Sequence, residues 1–225
     1  MKLLVVAAWE PELVRFREHL AGAPSGVELV LATLGVGLVE ASIAMTRCVE
    51  RETPAAALLL GTCGAFESVV GEARRVAVGS VVTAGAARLA DASILEGDAA
   101  LPGPMPAEVA FDRGLHDALV GGGAKSVQIA NTVGITTSDA LAELLATKTA
   151  ADVEHLEAFA FARACAAAQI PCAAALGVAN VVGAKGRAEW LANHVRASQE
   201  AADVAWRALG AIITSLASRT TTTAR

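Results

Sequence analysis

Two apolar stretches lie side by side between residues 152 and 180, and they limit what this chain can fold into. From Ala158 to Cys165 the residues are almost all Ala, Phe and Cys, the pattern of a helix buried on most sides. The periodicity predicts that this helix begins at Asp152, with Glu154 and Glu157 three residues apart at its start. Ile170 to Asn180 (IPCAAALGVAN) then reads as a buried strand ending in one polar residue. Open α/β sheets build their sites at such strand ends. A carboxylate at the mouth of a buried helix is unfavourable unless a polar partner satisfies it. Glu157 and Asn180 are therefore the first candidate functional residues.

The same alternation runs through the rest of the chain. Strands are expected at Lys2 to Ala8, Val27 to Thr33, Ala55 to Leu60, Gly79 to Ala84 and Ser126 to Val133. Helices are expected at Glu10 to Leu20 (Pro11 in the first turn), Val39 to Glu50, Ala107 to Val120, Ser138 to Leu145, and in a long, broken region from Ala188 to Ser218. Leu34-Gly35-Val36-Gly37 and Gly61-Thr62-Cys63-Gly64 read as turns, and residues 92 to 106 as a loop. Strands alternating with helices predict an α/β fold, a single domain over residues 1–219 with a mixed, mainly parallel sheet wrapped by helices. Residues 220–225, rich in threonine, are expected to be a flexible tail.

Composition removes several function classes. The net charge of −5 leaves no basic footprint for nucleic acid, and the absence of tyrosine with only five phenylalanines leaves few base-stacking surfaces. No apolar run reaches the roughly 18 residues of a membrane span. The run Leu3 to Ala8 is too short for a signal peptide, and Glu10 interrupts it. Cys48, Cys63, Cys165 and Cys172 lack metal-ligand spacing and sit among apolar neighbours, as reduced thiols of a cytoplasmic protein do. No histidine pair has ligand spacing, so neither a metal nor another cofactor is expected. Hydrophobic residues make up 54% of the chain, enough for a core and a subunit interface.

Four segments carry a resemblance. Leu3 to Glu12 (LLVVAAWEPE), Gly61-Thr62-Cys63-Gly64-Ala65, Asn131-Thr132-Val133 with Asp152 to Glu157, and Asn180-Val181-Val182-Gly183 with Arg187 and Trp190 together resemble the purine nucleoside phosphorylase and nucleosidase superfamily. Within it they are most similar to the futalosine hydrolase branch, whose helix start reads V-E-N-M-E-G and whose strand end reads S-N-x-x-G-x-R-x-x-W. The chain departs from that pattern at Leu156 (Met in the family), at Ala158 (Gly), and at Leu176 to Ala179, where the family's Arg-Ala-Ile-Ser stands.

The resemblance implies a nucleoside phosphorylase-like fold, a homodimer or larger oligomer, and cleavage of the N-glycosidic bond of a small-molecule purine nucleoside. Such cleavage passes through a ribosyl cation that must be held and stabilised. Glu157 would accept hydrogen bonds from the ribose hydroxyls and place negative charge by the cation. Without the resemblance, it is equally a carboxylate favoured by a helix N-terminus. Glu12 would position and deprotonate water; Glu10 shares its turn and competes, and the register of the family's first strand favours Glu12. Asn180 stands where relatives acting on adenine nucleosides carry an aspartate, and an amide suits a 6-oxopurine. Thr62, Leu141, Leu156 and Phe159 are expected to line the base and ribose pocket. Leu59 occupies the position of a phosphate-binding arginine, which favours water over phosphate as nucleophile. The turn at Leu34 to Gly37 offers backbone N–H groups to an anion. The rival readings are a nucleosidase for inosine, methylthioadenosine or another purine nucleoside, and a non-catalytic nucleoside-binding protein.

Overall fold

The computed structural model describes residues 1–67 and 76–222, with side chains through 219. Eight strands form one sheet: β1 (Lys2–Ala7), β2 (Glu28–Thr33), β3 (Ala56–Ala65), β4 (Val81–Leu89), β5 (Glu108–Ala110), β6 (Lys125–Asn131), β7 (Val153–His155) and β8 (Cys172–Val181). The path β2-β1-β3-β7-β6-β4-β5 is closed on itself by β8, which pairs with both β3 and β4. Parallel pairs (β1 with β2 and β3, β3 with β8, β4 with β6, β6 with β7) dominate. Antiparallel pairs (β3 with β7, β4 with β5 and β8) make the sheet mixed, as expected.

Alternating side chains divide the core. Leu4 and Val6 of β1 join one apolar cluster with α2 (Leu38–Glu52) and α6 (Ala158–Ala167). Leu3, Val5 and Ala7 join another with α1 (Val14–His19), α4 (Arg113–Gly121) and α7 (Gly186–Thr222). A third cluster lies under α3 (Ala92–Glu96) and α5 (Asp139–Thr149). The small residues of β8 bring α7 very close: a Cβ on Gly177 would stand 2.0 Å from the Ala197 carbonyl oxygen. That approach sets the first turns of α7 beside the end of β8.

Several expected elements differ. Residues 61–65 continue β3 rather than turning, because β8 and β7 pair with them; a register shift at Cys63/Gly64 absorbs the bend. The helix expected from Asp152 is preceded by strand β7, held between β3 and β6. Val153 and Leu156 fit helical spacing, and only pairing across the sheet makes Val153–His155 a strand. The helix expected from Ala107 starts at Arg113, where Asp112 caps it by accepting from Leu115 N–H at 3.0 Å; β5 pairs with β4 before it. Asp91 likewise caps α3 inside the expected loop. Residues 10–22 split into a 3₁₀ turn (Glu10–Leu13), α1 and a second 3₁₀ turn (Leu20–Gly22). The C-terminal region is one unbroken helix through Thr222, which reaches into the expected tail; 223–225 lie outside the described residues. Among the described residues no helix is long and apolar enough to cross a membrane.

Candidate active site

A cavity of about 470 Å³ opens where the C-terminal ends of β1, β3, β7 and β8 meet the start of α7. Glu12, Thr62, Leu156, Glu157 and Asn180 all line it. The structure therefore brings together five of the seven residues singled out from the sequence. Leu141 and Phe159 stand apart. Leu141 packs on the cluster under α5, and Phe159 is buried in the core below α6 because helical periodicity turns it away from the turn that carries Glu157.

Glu12 reaches the cavity from the 3₁₀ turn after β1 and is 6% exposed. The hydroxyl of Thr62 donates to its Oε1 at 3.0 Å, and Trp9 N–H makes a long 3.4 Å approach to Oε2. Burial pushes its carboxyl up to about 7, aided by the negative charge of Glu157 and opposed by the Thr62 and Trp9 hydrogen bonds. The competing Glu10 points to solvent and pairs with Arg17 at 2.6 Å. Of the two acids, Glu12 lines the cavity and Glu10 does not.

Glu157 sits at the N-terminus of α6, buried, and its Oε1 accepts from Gly37 N–H at 2.6 Å. Gly37 holds φ +91°, a conformation that side chains disfavour, at the start of α2. Of the turn N–H groups expected to be offered to a free anion, that of Gly37 is therefore occupied by the protein's own carboxylate. His155 Nδ1 accepts from the N–H groups of Glu157 (3.1 Å) and Ala158 (3.0 Å), so this nitrogen carries no proton. Its 3.4 Å approach to Glu157 Oε2 is accordingly not an ion pair. Burial holds the imidazole below its ordinary range, against the pull of Glu157, which agrees with a neutral ring protonated on Nε2.

Three residues to which the sequence assigned no role shape the site. Asn131 Nδ2 donates to the carbonyls of Leu156 (3.0 Å) and Thr132 (3.2 Å), and its Oδ1 accepts from Phe159 N–H at 2.8 Å. One amide thus clamps the turn carrying Leu156 and Glu157. Glu154 lines the cavity and accepts from Thr132 Oγ1 (3.1 Å), Thr136 N–H (3.3 Å) and Thr136 Oγ1; burial raises its carboxyl. Trp190, noted only within the resemblance, forms a wall of the cavity. Its ring stacks on His194 at 4.2 Å, lies 6.1 Å from Trp9 and 5.1 Å from the Arg187 guanidinium, and its Nε1–H donates to Thr62 Oγ1 at 3.1 Å. Arg187, Trp190, Leu191 and His194 recur at helical spacing, a stripe that was legible once α7 was known to begin at Gly186.

Asn180 ends β8, half-buried, and donates through Nδ2 to the carbonyl of Val181 at 2.9 Å. Its Oδ1 makes no hydrogen bond among the described residues. Leu59 is fully buried in the core, and among the described lining residues Arg187 is the one Lys or Arg. No cluster of three His, Cys, Asp or Glu suited to a metal ion occurs among the described residues.

Comparison with known proteins places this geometry. The chain is similar in fold to the futalosine hydrolase of Helicobacter pylori strain 26695, in mutant form (TM-score 0.83, 14% identity, 93% of this chain and 99% of that one). It is equally similar to a 5′-methylthioadenosine/S-adenosylhomocysteine nucleosidase from Colwellia psychrerythraea 34H, solved with adenine (TM-score 0.82, 18% identity, 94% and 95% covered). In sequence it is 29% identical over 108 residues to the 5′-methylthioadenosine/S-adenosylhomocysteine nucleosidase of Shewanella sp. (strain W3-18-1). That match spans 42% of this chain and 44% of the relative, less than half of each. Residues 7–214 match the Phosphorylase superfamily as a family, and the chain belongs to it.

Proposed function

We propose that this protein is a purine nucleosidase that hydrolyses the N-glycosidic bond of futalosine, giving hypoxanthine and dehypoxanthinyl futalosine, a step of menaquinone biosynthesis. The observation that carries the reading is the pair of buried carboxylates, Glu12 and Glu157, on one cavity with the amide of Asn180. Glu157 takes the 2′- and 3′-hydroxyls of the ribose and stabilises the ribosyl cation. Glu12, brought into the neutral range by burial, takes a proton from the attacking water. Asn180 donates to O6 of the departing 6-oxopurine and accepts from N7–H once N7 has taken a proton from solvent as the C–N bond breaks, a pairing that an adenine amino group does not match. Thr62 and Leu156 complete the wall. Water rather than phosphate is the nucleophile, because Gly37 N–H is engaged by Glu157 and the cation at Leu59's position is missing.

Base release from futalosine, aminodeoxyfutalosine, inosine and methylthioadenosine in phosphate-free buffer tests this. Futalosine should be the best of the four, and Asn180→Asp should move preference toward the 6-amino nucleosides. Equal kcat/KM for futalosine and aminodeoxyfutalosine in the parent would leave Asn180 without a role in base choice. Preference for methylthioadenosine would assign the chain to the second reading, which the nucleosidase relatives favour. A phosphate requirement would make it a phosphorylase, and binding without base release a nucleoside-binding protein.

The protein is further proposed to be a cytoplasmic homodimer or larger assembly. Val36 and Ile135 border the cavity yet are 62% and 58% exposed, so a partner subunit there would cover both them and the mouth of the site. Sedimentation at micromolar concentration should give at least twice the chain mass; a monomer would remove this proposal.

A further inference from the structure

The hydrogen bonds around Glu12 have a direction. An indole Nε1–H only donates, so Thr62 Oγ1 must accept at the 3.1 Å contact from Trp190. The hydroxyl's own proton is then free to point to Glu12 Oε1 at 3.0 Å. The chain therefore runs one way, from Trp190 through Thr62 to Glu12. Trp190 itself is held between neighbours, stacked on His194 and close to Trp9 and Arg187, so its N–H has little freedom to turn elsewhere.

We propose that Trp190 is a positioning residue for Glu12: its N–H aims the Thr62 hydroxyl proton at the carboxylate and thereby favours the ionised, water-activating form. Without the indole donor, Thr62 is free to rotate and accept a proton from a protonated Glu12 instead, which favours the inactive form. Hydrogen bonds linked in a chain polarise one another. The inference rests on the role given to Glu12 above. Two arguments set it apart from a plain apolar wall. A phenylalanine would keep an aromatic ring on His194 yet lose the donor. Thr62, at the bend in β3, bonds to both partners at once.

Other titratable groups share the cavity with Glu12, and of these Glu157 acts on it by its charge. Glu157 from the β7–α6 turn, Glu154 and His155 from β7, and Arg187 and His194 from α7 line the same cavity. On its own segment Glu10 is exposed and paired with Arg17 of α1. Trp190→Phe changes none of these side chains but shortens the ring packed against His194 and Arg187, so comparison with Thr62→Val and the double variant is what isolates the hydrogen-bond chain.

The titration of Glu12 is to be followed by carbon NMR of protein labelled at the glutamate carboxyls, with the Glu12 signal assigned by its loss in Glu12→Gln. Trp190→Phe should raise the Glu12 midpoint by about half a unit, the size a single neutral hydrogen bond transmits. Thr62→Val should raise it at least as far, the double variant no further than Thr62→Val, and Thr62→Ser should behave as the parent. A Trp190→Phe shift under about 0.2 unit, or additive shifts in the double variant, overturns the proposal, one hydrogen bond being the whole of the expected effect. The acid limb of kcat/KM for base release should move with the NMR midpoint. If the parent releases base from no nucleoside, the functional reading fails while the titration still decides whether Trp190 directs Glu12.

Discussion

Glu12 and Glu157 face one cavity and are both buried, yet they are held in opposite ways. Glu12 is met by a side-chain hydroxyl that itself accepts from Trp190, and by a backbone N–H at a long 3.4 Å. Glu157 is gripped by the backbone N–H of Gly37 at 2.6 Å, at the start of a fifteen-residue helix. The direction of a hydroxyl's hydrogen bond is set by its other partner, here Trp190, whereas a backbone N–H is fixed by the chain. Under the proposed function, proton transfer falls to Glu12 and the fixed negative charge to Glu157.

The larger test of this comparison is Glu157→Gln. The variant keeps the shape but removes the charge that the cation needs, and turnover of the parent's best nucleoside should fall by about 10²-fold or more. Turnover within a few-fold of the parent would break the assignment. The fold should survive, since Gln can still accept from Gly37 N–H.

The smaller effect is thermodynamic and belongs to Glu12. Its folded carboxyl lies near 7 against 4.5 for the free side chain, so the native state binds the proton more tightly than the unfolded chain does. The resulting stability is fully present below about pH 4.5 and is lost as pH rises through about 7. Between pH 5 and pH 8 the parent should lose about 2 to 3 kcal/mol through this group alone. Glu12→Gln has no charge to desolvate and should escape that loss. Buried Glu154 is shifted in the same direction and is common to both proteins, so it cancels in the difference. Denaturant unfolding of both proteins at the two pH values measures it. Equal pH dependence in parent and variant would show that burial of Glu12 does not load the fold, and a catalytic group buried at a cost in stability would no longer describe it.

Much of the architecture was legible because it is local or periodic. The apolar strands β1 and β8 read directly from uninterrupted hydrophobic runs, and α2 and α6 from helical spacing with few competing signals. Short or dual-pattern segments were not. Val153–His155 and Glu108–Ala110 are three-residue strands whose existence depends on a neighbouring edge. Gly61 to Ala65 carries turn residues but continues the strand, because β7 and β8 supply hydrogen bonds to it.

The site divides in the same way. The residue types that the chemistry needs, two carboxylates and a terminal amide, stand out in the sequence because each interrupts an apolar run that would otherwise bury it. By itself the sequence determined the fold class and five of the residues that line the cavity. Tertiary structure alone decided that Glu12 faces inward while Glu10 pairs with Arg17, and that Gly37 N–H meets Glu157 across 120 residues. It also decided that Leu141 and Phe159 lie in packed clusters, and that Trp190 reaches Thr62 from a helix 128 residues away. Burial and hydrogen-bond direction are properties of neighbours brought together by the closed sheet, and no local pattern of residues encodes them.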